Sequence, residues 1–203
     1  MGTVAVTAFA SMDGVVQAPG GPGEDESGGF ALGGWLVPYV DDEMGRIVSE
    51  RFARADAFLL GRKTYEIFAG YWPAVTDPDD PVASRLNTLP KYVPSTTLRT
   101  ADWTGTTVLE GDIADEVAEL KRRHAREIQV HGSGHLIQSL REHELVDLYH
   151  VWTYPVVLGT GKRLFPEGCA SSALELVDTQ TTSTGVVVST YRPAGKVETG
   201  TFL

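Results

Sequence analysis

Two stretches of the chain share one layout. "DAFLLGRKTYE" (56–66) and "EIQVHGSGHLIQSL" (127–140) each run as an apolar segment, stop at glycine, and pass straight into a helical pattern. A continuous apolar run bounded this way reads as a strand buried on both faces. Strands of that kind belong to parallel sheets, where helical crossovers cover both sides. With no linker between strand and helix, the helix N-terminus lands at the carboxyl end of its strand.

The rest of the sequence follows the same alternation. "TVAVTAF" (3–9), "KYVPS" (91–95), "TTVLEG" (106–111) and "LVDLYHVWTYPVVLG" (145–159) read as strands, the last running into a loop. Pro94 argues against a strand over 91–95 or marks it as an edge. "DDEMGRIVSERFARA" (41–55) reads as a helix with acids first and arginines last, and "SRLNTL" (84–89) as a shorter one. Asp112 caps the helical "IADEVAELKRRHAR" (113–126). "ALELVDTQTTSTGVVVSTYRP" (173–193) reads as a closing antiparallel hairpin. The expected architecture is one α/β domain over residues 1–203: a mainly parallel mixed sheet of about eight strands, helices on both faces, and a C-terminal hairpin. Residues 17–34, "QAPGGPGEDESGGFALGG", form a long Gly- and Pro-rich loop, either a lid or a surface insertion.

A formal charge of -10 repels phosphate backbones, which excludes nucleic acid as a general partner. The single cysteine, Cys169, allows no internal disulfide and fits a reducing compartment, as a half-buried thiol. No signal peptide, myristoylation pattern or membrane-length apolar run is visible, so the expectation is a cytoplasmic protein without a membrane partner.

Anions bind where backbone N–H groups are unpaired and the chain can be approached closely. Gly132 and Gly134 have no Cβ to hinder that approach, and Ser133 adds a hydroxyl. The alternative for this joint is a turn that lets helix and strand pack closely. At the matching joint, Arg62 can fork onto a phosphate and Thr64 can cap the helix or donate to a second phosphate. "PSTTL" (94–98) brings hydroxyls to the end of a third strand. Three such joints on one sheet edge would line one extended anionic ligand. His131 and His135 lack a third ligand, so no metal is expected.

"GRKTYE", "KYVPSTTL", "IQVHGSGHLIQSL" and "YPVVLGTGKRLFP" occur here in the order found in one family. From "TVAVTAFASMDG" to "VVVSTYRP", the chain resembles the dihydrofolate reductase superfamily. It is most similar to the branch holding the reductase domain of bifunctional riboflavin biosynthesis enzymes. The resemblance implies a dihydrofolate-reductase-like three-layer sandwich, and a reductase that moves hydride from NADPH to a small heterocyclic or carbonyl substrate, pterin- or pyrimidine-like. It implies a homodimer as well.

Carried onto this sequence, the resemblance puts Gly61, Arg62, Lys63 and Thr64 at the phosphates, Arg62 on the adenosine 2′-phosphate, with Ser95 and Thr96 on that side. Gly132, Ser133, Gly134, His135 and Leu136 wrap the pyrophosphate and central ribose. Ala8 meets the nicotinamide amide through its backbone, and Val15 or Val16 lies by the ring or ribose. His131 and Asp41 are the candidates for catalysis, with Trp35, Tyr39, Trp152 and Tyr154 as the substrate wall. For the histidine and the aspartate the residues themselves also allow a core-facing ring and a helix cap.

Three positions depart from the family. Thr96 stands where the branch often has arginine, which leaves NADH open beside NADPH. "WLVPYVDDE", with Trp35, Pro38, Asp41 and Asp42, does not reproduce the spacing of the folate-binding carboxylate. Gly132-Ser133 replaces a Gly-Gly pair, and a cis peptide is expected there. The alternatives are a folate or pterin reductase proper and a nucleotide-binding sensor without turnover. A chain with one cysteine has no zinc site of the deaminase type that accompanies riboflavin-pathway reductases.

Overall fold

The strands at the centre of the sheet are buried on both sides because helices cover both. The structure is a computed structural model and describes residues 1–202. Its eight strands are β1 (Thr3–Ser11), β2 (Ala55–Leu59), β3 (Lys91–Pro94), β4 (Thr106–Leu109), β5 (Glu127–His131), β6 (Leu148–Tyr154), β7 (Leu174–Thr181) and β8 (Val187–Pro193). They form one sheet in the order β4-β3-β2-β5-β1-β6-β8-β7. The first six strands run parallel, and β8 alone is reversed, pairing antiparallel with both β6 and β7.

Five α-helices complete the layers: α1 (Asp42–Ala53), α2 (Arg62–Tyr71), α3 (Pro81–Thr88), α4 (Ile113–Arg123) and α5 (Gly134–Glu142). On one face, Val117 and Leu120 of α4 and Ile137 and Leu140 of α5 bury Val4, Val6, Ile128 and Val130. On the other, Met44 and Ile47 of α1 cover Trp152, Tyr154 and Val188. Phe52 of α1, Tyr65 of α2 and Leu86 of α3 cover Phe58 and Val93. The caps explain the helix starts. Asp41 accepts the Met44 N–H, Asp80 those of Val82 and Ala83, and Asp112 those of Ala114 and Asp115.

The three-layer fold read from the sequence is the one observed. Details differ at particular elements. β3 lies inside the sheet, between β4 and β2, and not at an edge. Pro94 is tolerated because it is the last residue of the strand. α3 begins at Pro81, three residues before the sequence pattern, because Asp80 caps it and proline suits its first position. The loop over 17–34 is docked against the segment after β6. Gln17 donates to the Asp25 and Ser27 carbonyls, and Lys162 pairs with Asp25 and Ser27. Ala18 and Phe30 of the loop are themselves buried.

Under α1 the sheet carries a polar row. The register places His131, Thr7, His150, Thr190 and Asp178 side by side across β5, β1, β6, β8 and β7. The first four are buried. Arg51 reaches down from α1, donating to Thr190 Oγ1 at 2.8 Å and meeting His150 Nε2 at 3.4 Å. That contact needs the lone pair of His150 Nε2, so its proton sits on Nδ1, facing Thr190 Oγ1 at 3.1 Å. Gln129 donates to the Arg51 carbonyl and to Glu127. These bonds fix α1 to three strands.

Both imidazoles are buried neutral. Burial holds His131 down to about 4, and burial together with the Arg51 cation holds His150 down to about 3, against an ordinary 6.5. As pH falls the unfolded chain takes up these protons first. Stability therefore holds above pH 6.5 and declines as pH drops from 6.5 towards 4. Glu127 and Asp178, the acids nearest Arg51, oppose its repulsion of the row only in part. Asp13, held near 2 mainly by the Ser11 hydroxyl, adds its loss in a lower window, below its ordinary 3.8. Urea midpoints measured across this range are expected to fall from pH 6.5 downward, with a shallower slope in a His131→Phe variant; a flat profile would contradict the assignment.

Candidate functional site

The site begins where β5 stops. β1 pairs with β5 only as far as Thr7 opposite His131, yet continues to Ser11 beside β6. Residues Ala8–Ala10 therefore have an open edge where the chain turns away into α5, and beyond them the Ser11 N–H is taken by the Val15 carbonyl. Gly132 and Ser133 make that turn, both left-handed, with φ of 54° and 61°. Their peptide is trans, since no cis peptide occurs among the described residues. The expected cis bond is thus corrected: two consecutive positive-φ residues reverse the chain instead.

Ser133 carries the positive φ despite its Cβ, a conformation that costs about 1–2 kcal/mol for such a residue. Its hydroxyl explains why it is kept. Oγ accepts the Gly61 N–H at 2.9 Å, and lies 3.0 Å from Thr64 Oγ1 and 2.8 Å from the His131 carbonyl. Gly61 is the N-cap of α2, so this one side chain joins the starts of α2 and α5. A Cβ on Gly61 would sit 3.2 Å from Ser133, and one on Gly132 would sit 3.4 Å from Thr64 Oγ1. A Cβ on Gly134 would meet nothing within 4 Å. The inner glycines serve the clasp, and the outer one faces open space.

Along the same edge, Arg62 and Lys63 open α2 and are exposed. Arg62 pairs with Glu66 at 3.0 Å, an exposed bond that contributes little and leaves the guanidinium free to exchange partners. Beyond β3, Ser95 Oγ accepts the N–H groups of Thr97 and Leu98, and Thr96 is exposed. His135 is exposed on α5, whereas Leu136 is buried in the core. Ala8 is buried on β1; Val15 is buried and Val16 half-buried, with its N–H bonded to the Lys162 carbonyl. These two valines lie in the turn held by Asp13, which accepts from Ser11 and from the N–H groups of Leu158 and Gly159. Asp13 was not singled out from the sequence; the "MDG" turn and the distant "LGTG" are the signals that mark it.

The two candidates for catalysis are occupied elsewhere. His131 is 6% exposed and stacks on Phe52 at 4.9 Å, with Phe58 and Phe68 around it, and its Nε2 meets Gln129 Oε1 at 3.2 Å. A ring held neutral in this enclosure has no proton to give near pH 7, and the core-facing alternative describes it. Asp41 is a helix cap. Its second oxygen accepts from Ser183 Oγ and the Thr184 N–H, and these bonds, the Met44 N–H first, hold its carboxyl near 2. Trp35, Tyr39 and Trp152 do converge, around Tyr154 and Phe9, as edge-to-face rings. They fill the space under α1 as core, with Tyr154 wholly buried and its hydroxyl pushed up by burial. Among the described residues no cluster of three or more metal-ligating side chains occurs.

Comparison with known proteins agrees with this architecture. The family model described as the RibD C-terminal domain matches residues 2–188. An uncharacterized protein of Bacillus subtilis, YyaP, is 31% identical over 159 residues, 77% of this chain and 82% of that protein. A putative riboflavin biosynthesis protein from Shewanella sp. PV-4 superposes with a TM-score of 0.71 at 20% identity, over 94% of this chain and 98% of that one. A dihydrofolate reductase from Enterococcus faecalis, solved with NADP(H) and RAB-propyl, superposes with a TM-score of 0.59 at 14% identity, over 95% of this chain and 96% of that one. At such identities the superpositions establish the fold.

Replacing Ser133 by Ala keeps the strained turn but leaves the Gly61 N–H without its partner. Such a change is expected to cost about 1–3 kcal/mol, measured by chemical denaturation, and unchanged stability would show the clasp to be idle. Asp41→Ala should lower the thermal midpoint through loss of the cap and of the Ser183 and Thr184 bonds.

Proposed function

The chain belongs to the RibD C-terminal domain family, and on that premise we propose that it is a reductase that uses NADPH to reduce a small heterocyclic or carbonyl substrate. The observation that carries this reading is the Ser133 clasp, which sets two helix N-termini side by side at the carboxyl edge of the sheet. Each start offers N–H groups with no partner inside its helix and the positive end of a helix dipole. Gly134 opens onto free space, so a pyrophosphate can approach the backbone there. Arg62 and Lys63 at the start of α2, with Ser95 and Thr96 just past the end of β3, are the residues that would hold a 2′-phosphate. The residues thus fit the cofactor named with the Enterococcus enzyme.

When bound, the cofactor supplies hydride. The chain orients it through Ala8–Ala10, the open edge of β1, and keeps water from the neighbouring face with Phe9, Phe52 and Phe68. The inward residues of α1, Met44, Ile47, Arg51 and Phe52, include no carboxylate, which weighs against folate reduction. Because His131 and Asp41 are both engaged, a second reading stands beside the first: a nucleotide-binding module that does not turn over. In either reading we place the protein in the cytoplasm as a homodimer acting on a small molecule. Among the described residues no helix is long and apolar enough to cross a membrane.

Titration with NADPH and NADH by calorimetry tests the cradle. NADPH is expected to bind, and Arg62→Ala to weaken it by about 1.5–3 kcal/mol, roughly tenfold to a hundredfold, with little effect on NADH. Failure of both nucleotides to bind would end the reductase reading. Consumption of NADPH with a panel of pyrimidine, pterin and carbonyl compounds separates turnover from storage.

A further inference from the structure

The start of α2 departs from the charge pattern of its neighbours. α1 opens with Asp42 and Glu43, and α4 carries Asp115 and Glu116 in its first turn, as the positive end of a helix dipole favours. α2 has no acid in its first turn and opens with two cations, Arg62 and Lys63. Such a breach of a local rule is expected where function overrides helix stability.

The first acid of α2 comes one turn later. Glu66 is four residues on from Arg62, so the two side chains share a face of the helix. Arg62 Nη1 donates to Glu66 Oε1 at 3.0 Å, with both side chains about half exposed. The positions between them are used differently: Tyr65 is buried in the core, and Thr64 Oγ1 meets Ser133. Cation before acid is the less favourable order along a helix, and an exposed pair of this kind contributes little to the fold. Past the end of β3, Ser95 Oγ is taken up in its own turn with Thr97 and Leu98, and Thr96 supplies no second guanidinium. Glu66 therefore engages the one arginine at the place where a 2′-phosphate would be held.

Resting on the reductase reading above, we infer that Glu66 is a specificity-determining residue of the cofactor site: its carboxylate competes with the adenosine 2′-phosphate for Arg62 and so lowers the preference for NADPH over NADH. The chemistry runs in one direction. The phosphate takes the full fork of the guanidinium only where Glu66 releases it, and once seated it stands beside a carboxylate of its own sign. NADH carries a hydroxyl at that position. It brings no charge, so neither the displacement nor the repulsion applies to it. Breaking an exposed ion pair accounts for about twofold, and repulsion between a carboxylate and a phosphate dianion across water for roughly severalfold more.

Calorimetric titration of the full chain with NADPH and with NADH tests this, in the wild type, Glu66→Gln, Arg62→Ala and the double variant. Glu66→Gln keeps the shape of the side chain and removes its charge. The ratio of NADPH to NADH affinity is expected to rise about fivefold to tenfold in Glu66→Gln, and by less than about twofold when Arg62→Ala is already present. Where NADH is too weak to titrate, the rise in NADPH affinity decides. Glu66→Ala is expected to act in the same direction as Glu66→Gln. An unchanged ratio overturns the inference. So does a fall, which would show that Glu66 holds Arg62 ready for the phosphate. A gain of equal size in the Arg62→Ala background overturns it too, as a general effect of lower negative charge. The wild-type titration separates the inference from the reading beneath it. If neither nucleotide binds the wild type, the cradle fails and the role of Glu66 with it. If NADPH binds and Arg62→Ala weakens it, while Glu66→Gln gives no gain, the cradle stands and only the role of Glu66 falls.

Discussion

One hydroxyl organises the edge of this sheet. Ser133 accepts the N–H of Gly61, the N-cap residue of α2, and contacts Thr64 within that helix, while its own backbone turns the chain into α5. Without that oxygen, two glycine-lined joints would be independent turns on neighbouring strands. With it, the gap past the end of β5, the exposed face of Gly134 and the start of α2 that carries Arg62 keep fixed relations to one another. The cost is a serine in a left-handed conformation, with Gly61 fitted so closely that a Cβ there would press on Ser133.

Much of this was legible along the chain, where the signal was local. Glycine at the end of an apolar run, an acid before a helical pattern and a charge gradient along it are contiguous features, and they placed the strands, the caps at Asp41 and Asp112 and both joints. The family resemblance rested on the same contiguous motifs. What escaped was set by pairing between distant positions. Ser133 meets Gly61 across 72 residues, and nothing near "HGSGH" announces that partner. Pro94 suggested an edge, but a strand's place in a sheet depends on strands elsewhere in the sequence. His131 illustrates the parity of a strand: with Glu127 and Gln129 it points to the α1 face, where phenylalanines from α1, β2 and α2 enclose it. Its sequence neighbours did not reveal which face that was.

The α1 face combines two kinds of packing. Its upper part is a cluster of edge-to-face aromatic rings that hold Tyr154 from three sides. Its lower part is polar, with Arg51, His150, Thr190, Gln129 and Glu127 bonded among themselves. A buried cation without a carboxylate in contact is a poor source of stability, and such networks are better understood as fixing position. Here the position fixed is that of α1, against strands from three parts of the chain.

The reversed strand has a consequence for how the molecule is made. α1 is tied down by Thr184, at the turn between β7 and β8, and by Thr190 of β8, partners 143 and 139 residues further along. β1 waits too, since its neighbours β5 and β6 come from the second half of the chain. During synthesis the first strand and the first helix leave the ribosome long before anything exists to hold them. Contacts of such sequence separation form slowly. The first strand and the first helix are therefore the earliest elements to be translated and among the last to be secured.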